Sequence, residues 1–164
     1  MSRRKADRES RYYEPVRAKL DEILRARFNS YHLEITASRT FSETLKAQVG
    51  THRDIIFLFL KEAAPDITGF VKAEYSSDFM VVEVKAEKIK LDDIYQTRKY
   101  AELFDARYAL LVSTEEPPEE IKRLSKVVFS LLQLPAYKPL TLVRFDEKTN
   151  ELRNWFPENP FDKR

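Results

Sequence analysis

The sequence predicts an α/β fold in which a central mixed β-sheet is flanked by helices. One observation is that two patterns alternate along the chain: stretches with apolar residues three and four positions apart, and short, continuous apolar runs. The other is their order, a helix, several strands, a helix, a strand and a further helix, which is typical of a sheet covered by helices. At 164 residues the chain has the length of one domain.

The first part of the chain predicts a long helix, a short strand and a short helix. Residues 11–28 predict the long helix, because their apolar residues form one stripe. That stripe consists of Tyr13, Val16, Leu20, Ile23, Leu24 and Phe28. Residues 31–37 alternate weakly and predict the strand. Thr40 and Glu43 have the spacing of a capping box, so we expect a short helix to begin there and to end at Gly50.

The centre of the chain predicts three strands. Residues 55–60 are a continuous apolar run bounded by charges, which favours a strand buried on both faces. Residues 66–72 and 79–86 predict two further strands, joined by a turn at 75–78. Because strands that follow one another in sequence usually pair, we expect these three to form an antiparallel meander.

A helix and a buried strand are predicted to follow the meander. Asp92 or Asp93 is expected to cap the helix, because an aspartate oxygen accepts hydrogen bonds from the first amides of a helix. We expect this helix to extend to about Phe104. Residues 108–112 then form a short apolar run, which predicts the next buried strand.

The C-terminal part predicts one more helix and a hairpin. Pro117 and Pro118, followed by two glutamates, mark the start of the helix. Its buried face is expected to consist of Ile121, Leu124, Val128, Leu131 and Leu132. Residues 140–145 and 151–155 predict the two strands of the hairpin, with a turn between them.

Composition excludes several classes of site. Charged residues make up 34% of the chain, yet the net charge is only +2, and this balance by itself does not predict a nucleic-acid-binding protein. The absence of cysteine excludes disulfides, thiolate catalysis and cysteine-based zinc sites. Gly50 and Gly69 are the two glycines, so a glycine-rich phosphate loop is excluded. His32 and His52 are far apart and predict no metal site.

The first residues differ from the rest of the chain. We expect residues 1–10 to be a basic, disordered arm and residues 11–164 to be a single domain. The arm is either a solvated terminus or a segment that contacts nucleic-acid backbone. No apolar stretch approaches the ~20 residues that span a bilayer, and no signal-peptide pattern is visible. These patterns predict a cytoplasmic protein.

The predicted strand at residues 79–86 has one apolar face and one mixed face. Met80, Val82, Val84 and Ala86 form the first face, and Phe79, Val81, Glu83 and Lys85 form the second. The mixed face is therefore apolar where it begins and charged where it ends. Burying charged groups without partners is costly, so Glu83 and Lys85 need each other, a metal ion or water.

Asp66 begins the preceding strand, and the start of one strand can lie beside the end of its antiparallel neighbour. We therefore expect Asp66 to approach Glu83, and two converging carboxylates favour a cation. Oxygen-only ligands favour Mg²⁺ or Mn²⁺ over zinc. Phosphoryl chemistry uses such an arrangement, because the metal neutralises phosphate oxygens and acidifies a water while a nearby ammonium stabilises developing charge.

These residues resemble the PD-(D/E)xK nuclease superfamily, which includes restriction endonucleases, archaeal resolvases and RecB-like nucleases. The resemblance rests on Pro65 and Asp66, and on residues 83–85 on the following strand. Gln96 and Tyr100 on the next helix are similar to the Gln-x-x-x-Tyr element of RecB-like members. The resemblance implies a restriction-endonuclease-like αβββαβ core, with the C-terminal helix and hairpin as additions.

The resemblance also implies a Mg²⁺- or Mn²⁺-dependent nuclease, an endonuclease acting on DNA. The implied metal ligands are Asp66, Glu83, the carbonyl of Val84 and, from the first helix, Glu14. Lys85 is implied to position the attacking water, and Gln96 and Tyr100 to orient the site or touch the substrate. The basic residues expected to bind nucleic-acid phosphates are Lys88, Lys90, Arg98 and Lys99.

Other interpretations stay open. The chain is alternatively a catalytically silent nucleic-acid-binding or interaction module of a larger DNA-processing complex, with a second copy or another protein as partner. A plain interaction protein is a third possibility. In that case Glu83 and Lys85 are a solvated end of the strand, Asp66 caps a turn and Tyr100 is a core residue.

Overall fold

Six strands form one mixed sheet. They are β1 (Tyr31–Ile35), β2 (Ile67–Lys72), β3 (Ser77–Lys85), β4 (Tyr108–Ser113), β5 (Leu140–Asp146) and β6 (Glu151–Phe156). The spatial order follows the sequence, from β1 at one edge to β6 at the other. The pairs β1–β2, β2–β3 and β5–β6 are antiparallel, whereas β3–β4 and β4–β5 are parallel.

Helices cover both faces of the sheet. The computed structural model describes residues 3–162 of the chain, and side chains from residue 7 onward. The helices are α1 (Arg3–Ser10), α2 (Tyr13–Arg27), α3 (Glu43–Val49), α4 (Ile56–Phe59), α5 (Leu91–Phe104) and α6 (Glu119–Ser125), and a 3₁₀ turn spans Pro135–Tyr137. Within residues 3–162, none of the helices is long and apolar enough to cross a membrane.

The two faces of β3 belong to two separate cores. Val82 and Val84 pack with the buried stripe of α2 on one side. Phe79 and Val81 pack with the buried side of α5 on the other. The α/β class predicted from the sequence is confirmed, because a mixed sheet lies between helices. The long first helix, the strands at 66–72, 79–86 and 108–112, and the C-terminal hairpin are also confirmed.

The strand predicted at residues 55–60 is wrong. This run contains the single turn α4, and Ile55, Leu58 and Phe59 are 59%, 56% and 61% exposed. A short apolar run does not by itself distinguish a strand from a helix. The place beside β2 is taken by β1, so the three-stranded meander is β1–β2–β3.

Two predicted helix caps are displaced. Helix α3 begins after Ser42, whose Oγ accepts a 3.1 Å hydrogen bond from the amide of Leu45, so the capping box assigned to Thr40 is wrong. Ser42 is the residue directly before the helix, and its extended backbone suits an N-cap. Helix α5 begins after Lys90, whose amide donates a 2.8 Å hydrogen bond to Asp93 inside the first turn.

Two further predictions are corrected: the disordered N-terminal arm and the long helix after Pro118. The arm expected to be disordered is a helix in its described part, Arg3–Ser10. Helix α6 ends at Ser125, and Val128 is 38% exposed. Directly after the helix the amides of Lys126 and Val127 donate to carbonyls three residues back, and further along the carbonyls of Ser130, Leu131 and Gln133 accept hydrogen bonds from the Arg98 guanidinium.

Gly69 allows β1 and β2 to approach closely. It lies opposite Leu33 in β1 and Met80 in β3. A Cβ added to Gly69 would lie 2.2 Å from the carbonyl oxygen of His32 and 2.6 Å from Cδ2 of Leu33. The nearest of these atoms is backbone, which cannot move away without disturbing the sheet.

Gly69→Ala should therefore lower the free energy of unfolding by about 3 kcal/mol, the upper range of overpacking in a well-packed interior. Urea denaturation would measure the change. Ser76→Ala, in the exposed turn between β2 and β3, is the control and should change stability by less than about 0.5 kcal/mol. A Gly69→Ala protein as stable as the parent would show that the two strands do not approach as described.

Candidate active site

The register of β2 and β3 places Asp66 against Glu83. Ile67 pairs with Val82. Because the two strands are antiparallel, Asp66, which precedes Ile67, lies opposite Glu83, which follows Val82. The amide of Asp66 donates a 3.1 Å hydrogen bond to Oε1 of Glu83, and the amide of Val84 donates a 2.8 Å hydrogen bond to Oδ2 of Asp66. The two carboxylates are thus brought together by reciprocal backbone contacts, and both residues are buried.

The backbone of Val84 faces the same gap. In a strand the N–H and C=O of one residue point to the same edge. Because the amide of Val84 reaches Asp66, its carbonyl oxygen is directed to the side of β3 on which Asp66 lies. The two carboxylates and this carbonyl therefore lie on the same side of β3, toward the start of β2.

Lys85 lies between two carboxylates. Its ammonium is 3.7 Å from Oε2 of Glu83 and 3.7 Å from Oδ1 of Asp93. The side chain of Lys85 is only 3% exposed, so both contacts are shielded from water. From the sequence, Asp93 was expected only to cap α5. In the structure Oδ2 of Asp93 accepts the hydrogen bond from the Lys90 amide at the start of α5, and Oδ1 contacts Lys85.

The middle of α5 carries Gln96 and Tyr100. Nε2 of Gln96 donates a 3.1 Å hydrogen bond to the hydroxyl of Tyr100. Burial raises the pKa of Tyr100 to about 12, with further contributions from the negative charges of Glu83 and Asp66. The structure thus brings Asp66, Glu83 and Lys85 together, and it joins Gln96 to them only through Tyr100.

Glu14 does not join the cluster. Its side chain is 61% exposed and forms an ion pair with Arg17, one turn further along α2. The adjacent residue Tyr13 faces the site instead and hydrogen-bonds with Asp66. The assignment of Glu14 as a metal ligand is thus corrected, because one residue along a helix rotates a side chain by about 100°.

The acidic residue that approaches the site from the N-terminal helices is Glu9. It is 1% exposed, and its charge acts on Asp66, Glu83 and Lys85. Sequence reasoning missed Glu9 because the segment was expected to be disordered. The sequence identified Tyr13 only as a member of the apolar stripe of the first helix. Its position at the start of that helix was the available signal that it lies at the site.

Burial dominates the electrostatics of the two carboxylates. It raises the pKa of Asp66 to about 6, although the Val84 amide, Lys85 and Tyr13 act in the opposite direction. Burial and the charge of Asp66 raise the pKa of Glu83 well above its usual value. For Lys85, burial lowers the pKa, but the surrounding carboxylates, Glu83 first, outweigh burial and raise it.

The oxygen donors suit Mg²⁺ or Mn²⁺ better than a metal ion whose ligands must all come from the protein. Among the described residues there is no group of three or more His, Cys, Asp or Glu side chains arranged to hold an ion. Mg²⁺ usually takes one or two carboxylates and completes its shell with water and substrate phosphates. Asp66, Glu83 and the Val84 carbonyl would suit that requirement, and a cation would offset the burial that raises the pKa of both acids and the repulsion that Asp66 exerts on Glu83.

The predicted phosphate-binding residues are mostly engaged within the protein. Lys88 forms an ion pair with Glu120, and Lys90 lies 3.7 Å from Glu87. The guanidinium of Arg98 donates to three backbone carbonyls in the segment after α6, so its assignment to phosphate binding is corrected. Lys99 is exposed, and its ammonium lies 5.2 Å from the ring centroid of Tyr100.

Comparisons of the chain with protein-family models, with curated proteins and with solved structures found no match. The site is therefore interpreted from its own geometry.

The raised pKa of Asp66 predicts how stability depends on pH. The folded-state pKa of about 6 exceeds the usual 3.8, so folding favours the protonated carboxyl. This contribution is fully present below pH 3.8 and is lost as the pH rises through 6. In EDTA, Asp66→Asn should therefore be more stable than the parent at pH 7, by on the order of 1–3 kcal/mol, and the gain should shrink toward pH 4.

Urea denaturation at pH 4, 5, 6 and 7 would measure this difference. Asn retains an oxygen that can accept the Val84 amide, so the variant removes the charge and keeps the contact. Glu74→Gln, on the exposed turn between β2 and β3, should reproduce the parent's pH profile. The account of Asp66 fails if Asp66→Asn and the parent respond to pH identically.

Proposed function

We propose that this protein is a metal-dependent nuclease that hydrolyses phosphodiester bonds in DNA. The observation that carries the proposal is the convergence of Asp66, Glu83 and Lys85 in one buried cluster. The order α2–β1–β2–β3–α5–β4 supports it, because this is the αβββαβ order of a restriction-endonuclease-like core if α3 and α4 are insertions. The contact between Gln96 and Tyr100 agrees with the RecB-like branch of that superfamily.

In this proposal Asp66, Glu83 and the carbonyl of Val84 would hold Mg²⁺ or Mn²⁺. The ion, when bound, neutralises charge on the phosphate and lowers the pKa of a water molecule. The contribution of the chain itself is to hold these oxygens in place. The Val84 amide fixes one carboxylate and the Asp66 amide fixes the other, so little reorganisation is needed.

Lys85 has a different role from the acids. An ammonium group only donates hydrogen bonds and cannot bind a cation. Lys85 is held between Glu83 and Asp93, and in this proposal it would orient a water molecule whose oxygen attacks phosphorus as one ester P–O bond breaks. The same positive charge would offset the negative charge that develops on the phosphate oxygens. Gln96 and Tyr100 would orient the cluster from α5.

A second candidate function is favoured by the burial of the site. Glu83, Lys85 and Tyr100 are 4%, 3% and 1% exposed, and Glu9 and Tyr13 lie against the cluster from the N-terminal helices. In a catalytically silent module the same groups would form a buried structural network. Catalysis requires that the segment before α2 move to admit a phosphate, whereas the silent module requires no such movement.

The experiment that separates the two candidates is cleavage by a Lys85→Met variant. Met fills a similar volume and removes the ammonium, but it leaves the buried Glu83 and Asp93 without their cation, so circular dichroism must first show that the variant is folded. In Mn²⁺, with supercoiled, linear duplex and single-stranded DNA, the variant should cleave at least about 100-fold more slowly than the parent, the worth of one preorganised charge in the transition state. Mn²⁺ affinity by titration calorimetry should be unchanged or higher.

Lys61→Met, an exposed lysine between α4 and β2, is the matched control and should cleave like the parent. Cleavage that persists undiminished in Lys85→Met would remove Lys85 from the mechanism. If the parent cleaves no DNA form and binds no Mn²⁺, the silent module is the better description.

A further inference from the structure

The chain from the middle of α6 to the start of β5 concentrates positive charge. Residues 121–139, which follow the two glutamates at the start of α6, carry Lys122, Arg123, Lys126 and Lys138 and no acidic residue, in a protein whose net charge is only +2. Lys138 is paired with Asp105 at 3.3 Å, and Lys122 lies 5.5 Å from the ring centroid of Phe156. Within the described residues Arg123 and Lys126 form no ion pair, so both remain available to an anionic partner.

The same segment presents apolar side chains to solvent. Val127, Phe129 and Tyr137 are 73%, 80% and 86% exposed. Single exposed apolar residues are ordinary, but two almost fully exposed aromatic rings within nine residues are not a typical solvated surface. We refer to residues 121–139 as the platform.

The platform is held in one conformation from the core. Arg98 donates hydrogen bonds of 2.8 Å to the carbonyl of Gln133 and 3.2 Å to that of Leu131. The amide of Leu134 donates to Lys138 at 2.7 Å, which closes the loop that carries Tyr137. The aromatic rings are therefore exposed on a backbone that is already fixed, which limits the entropy lost on binding.

The backbone at the tip of the platform is strained. Ala136 and Tyr137 have φ values of 63° and 61°, in the left-handed region that side chains other than Gly, Asn and Asp rarely adopt. Two consecutive residues of this kind persist only when the surrounding structure enforces them, and such strain collects at functional surfaces. Its effect here is to direct Tyr137 into solvent.

We propose that the platform binds single-stranded nucleic acid, with Phe129 and Tyr137 stacking on bases and Arg123 and Lys126 contacting phosphates. Exposed aromatic rings and unpaired cations on one short segment of chain are the chemistry that such strands require. Arg98, which anchors the platform, lies two residues from both Gln96 and Tyr100, so its side chain leaves α5 on the face opposite the one that carries these site residues. Arg98 is used within the protein and Lys88 and Lys90 are paired with glutamates, so the platform adds unpaired cations to Lys99 at the site.

This inference extends the proposed nuclease function by naming where its substrate strand is held, and it is tested separately from cleavage. Fluorescence anisotropy with a labelled 30-nucleotide oligo(dT) in EDTA measures binding without reaction. Phe129→Ser and Tyr137→Ser should each weaken binding about tenfold, the usual loss for one base–aromatic stack. The double variant Arg123→Glu/Lys126→Glu should weaken it further and make the slope of log affinity against log salt less steep by about 1.4, or ~0.7 for each lost phosphate contact.

Matched controls come from the opposite parts of the chain. Tyr75→Ser removes a tyrosine that is 92% exposed, and Lys61→Glu reverses an exposed lysine; both should bind like the parent. Circular dichroism checks that every variant is folded. The inference is overturned if the platform variants bind as tightly as the controls, if the parent does not bind the strand, or if an acidic amphipathic peptide or an anionic vesicle binds the platform instead.

The two proposals fail separately. Loss of oligo(dT) binding in the platform variants supports the inference even if no cleavage is ever detected. Cleavage by the parent with unchanged binding in the platform variants would overturn the inference and leave the nuclease proposal in place.

Discussion

The structure depends most on the pairing of β2 with β3 at the end where Ile67 faces Val82. Asp66, directly before Ile67, and Glu83, directly after Val82, therefore lie opposite each other. The amides of Asp66 and Val84 hold their carboxylates in place. A shift of one residue in this register would turn Glu83 to the other face of the sheet, into the core beneath α2. On the other edge of β2, Gly69 allows β1 to approach closely.

Burying these acids destabilises the fold unless something compensates for it. Burial raises the pKa of both Asp66 and Glu83, and Lys85 is shared between Glu83 and Asp93 rather than devoted to either. A fold that only needed stability would be better served by apolar residues of similar volume. In the proposed function these acids are needed for their charge, and a divalent cation bound between them would offset their burial and their repulsion.

Much of the fold follows from local patterns, because a buried strand or an amphipathic helix shows its period in sequence. The faces of β3 and the stripe of α2 are examples. The strand predicted at residues 55–60 was wrong because a short apolar run has no period that distinguishes a strand from a helix. Its structure depends on which segment pairs with the edge of β2, and that segment is β1. Arg98 looked like a phosphate ligand because its carbonyl partners are more than thirty residues away, and Glu9 was hidden in a segment whose charge suggested disorder.

The central claim is that two strands and their backbone form a site for a divalent cation. The most direct measurement is anomalous diffraction from a crystal of the protein soaked in Mn²⁺. The account predicts one strong anomalous peak at about 2.1–2.2 Å from oxygens of Asp66 and Glu83, with the Val84 carbonyl completing the protein ligands. A crystal with no peak between these residues, or with Mn²⁺ bound only at surface acids, would contradict it.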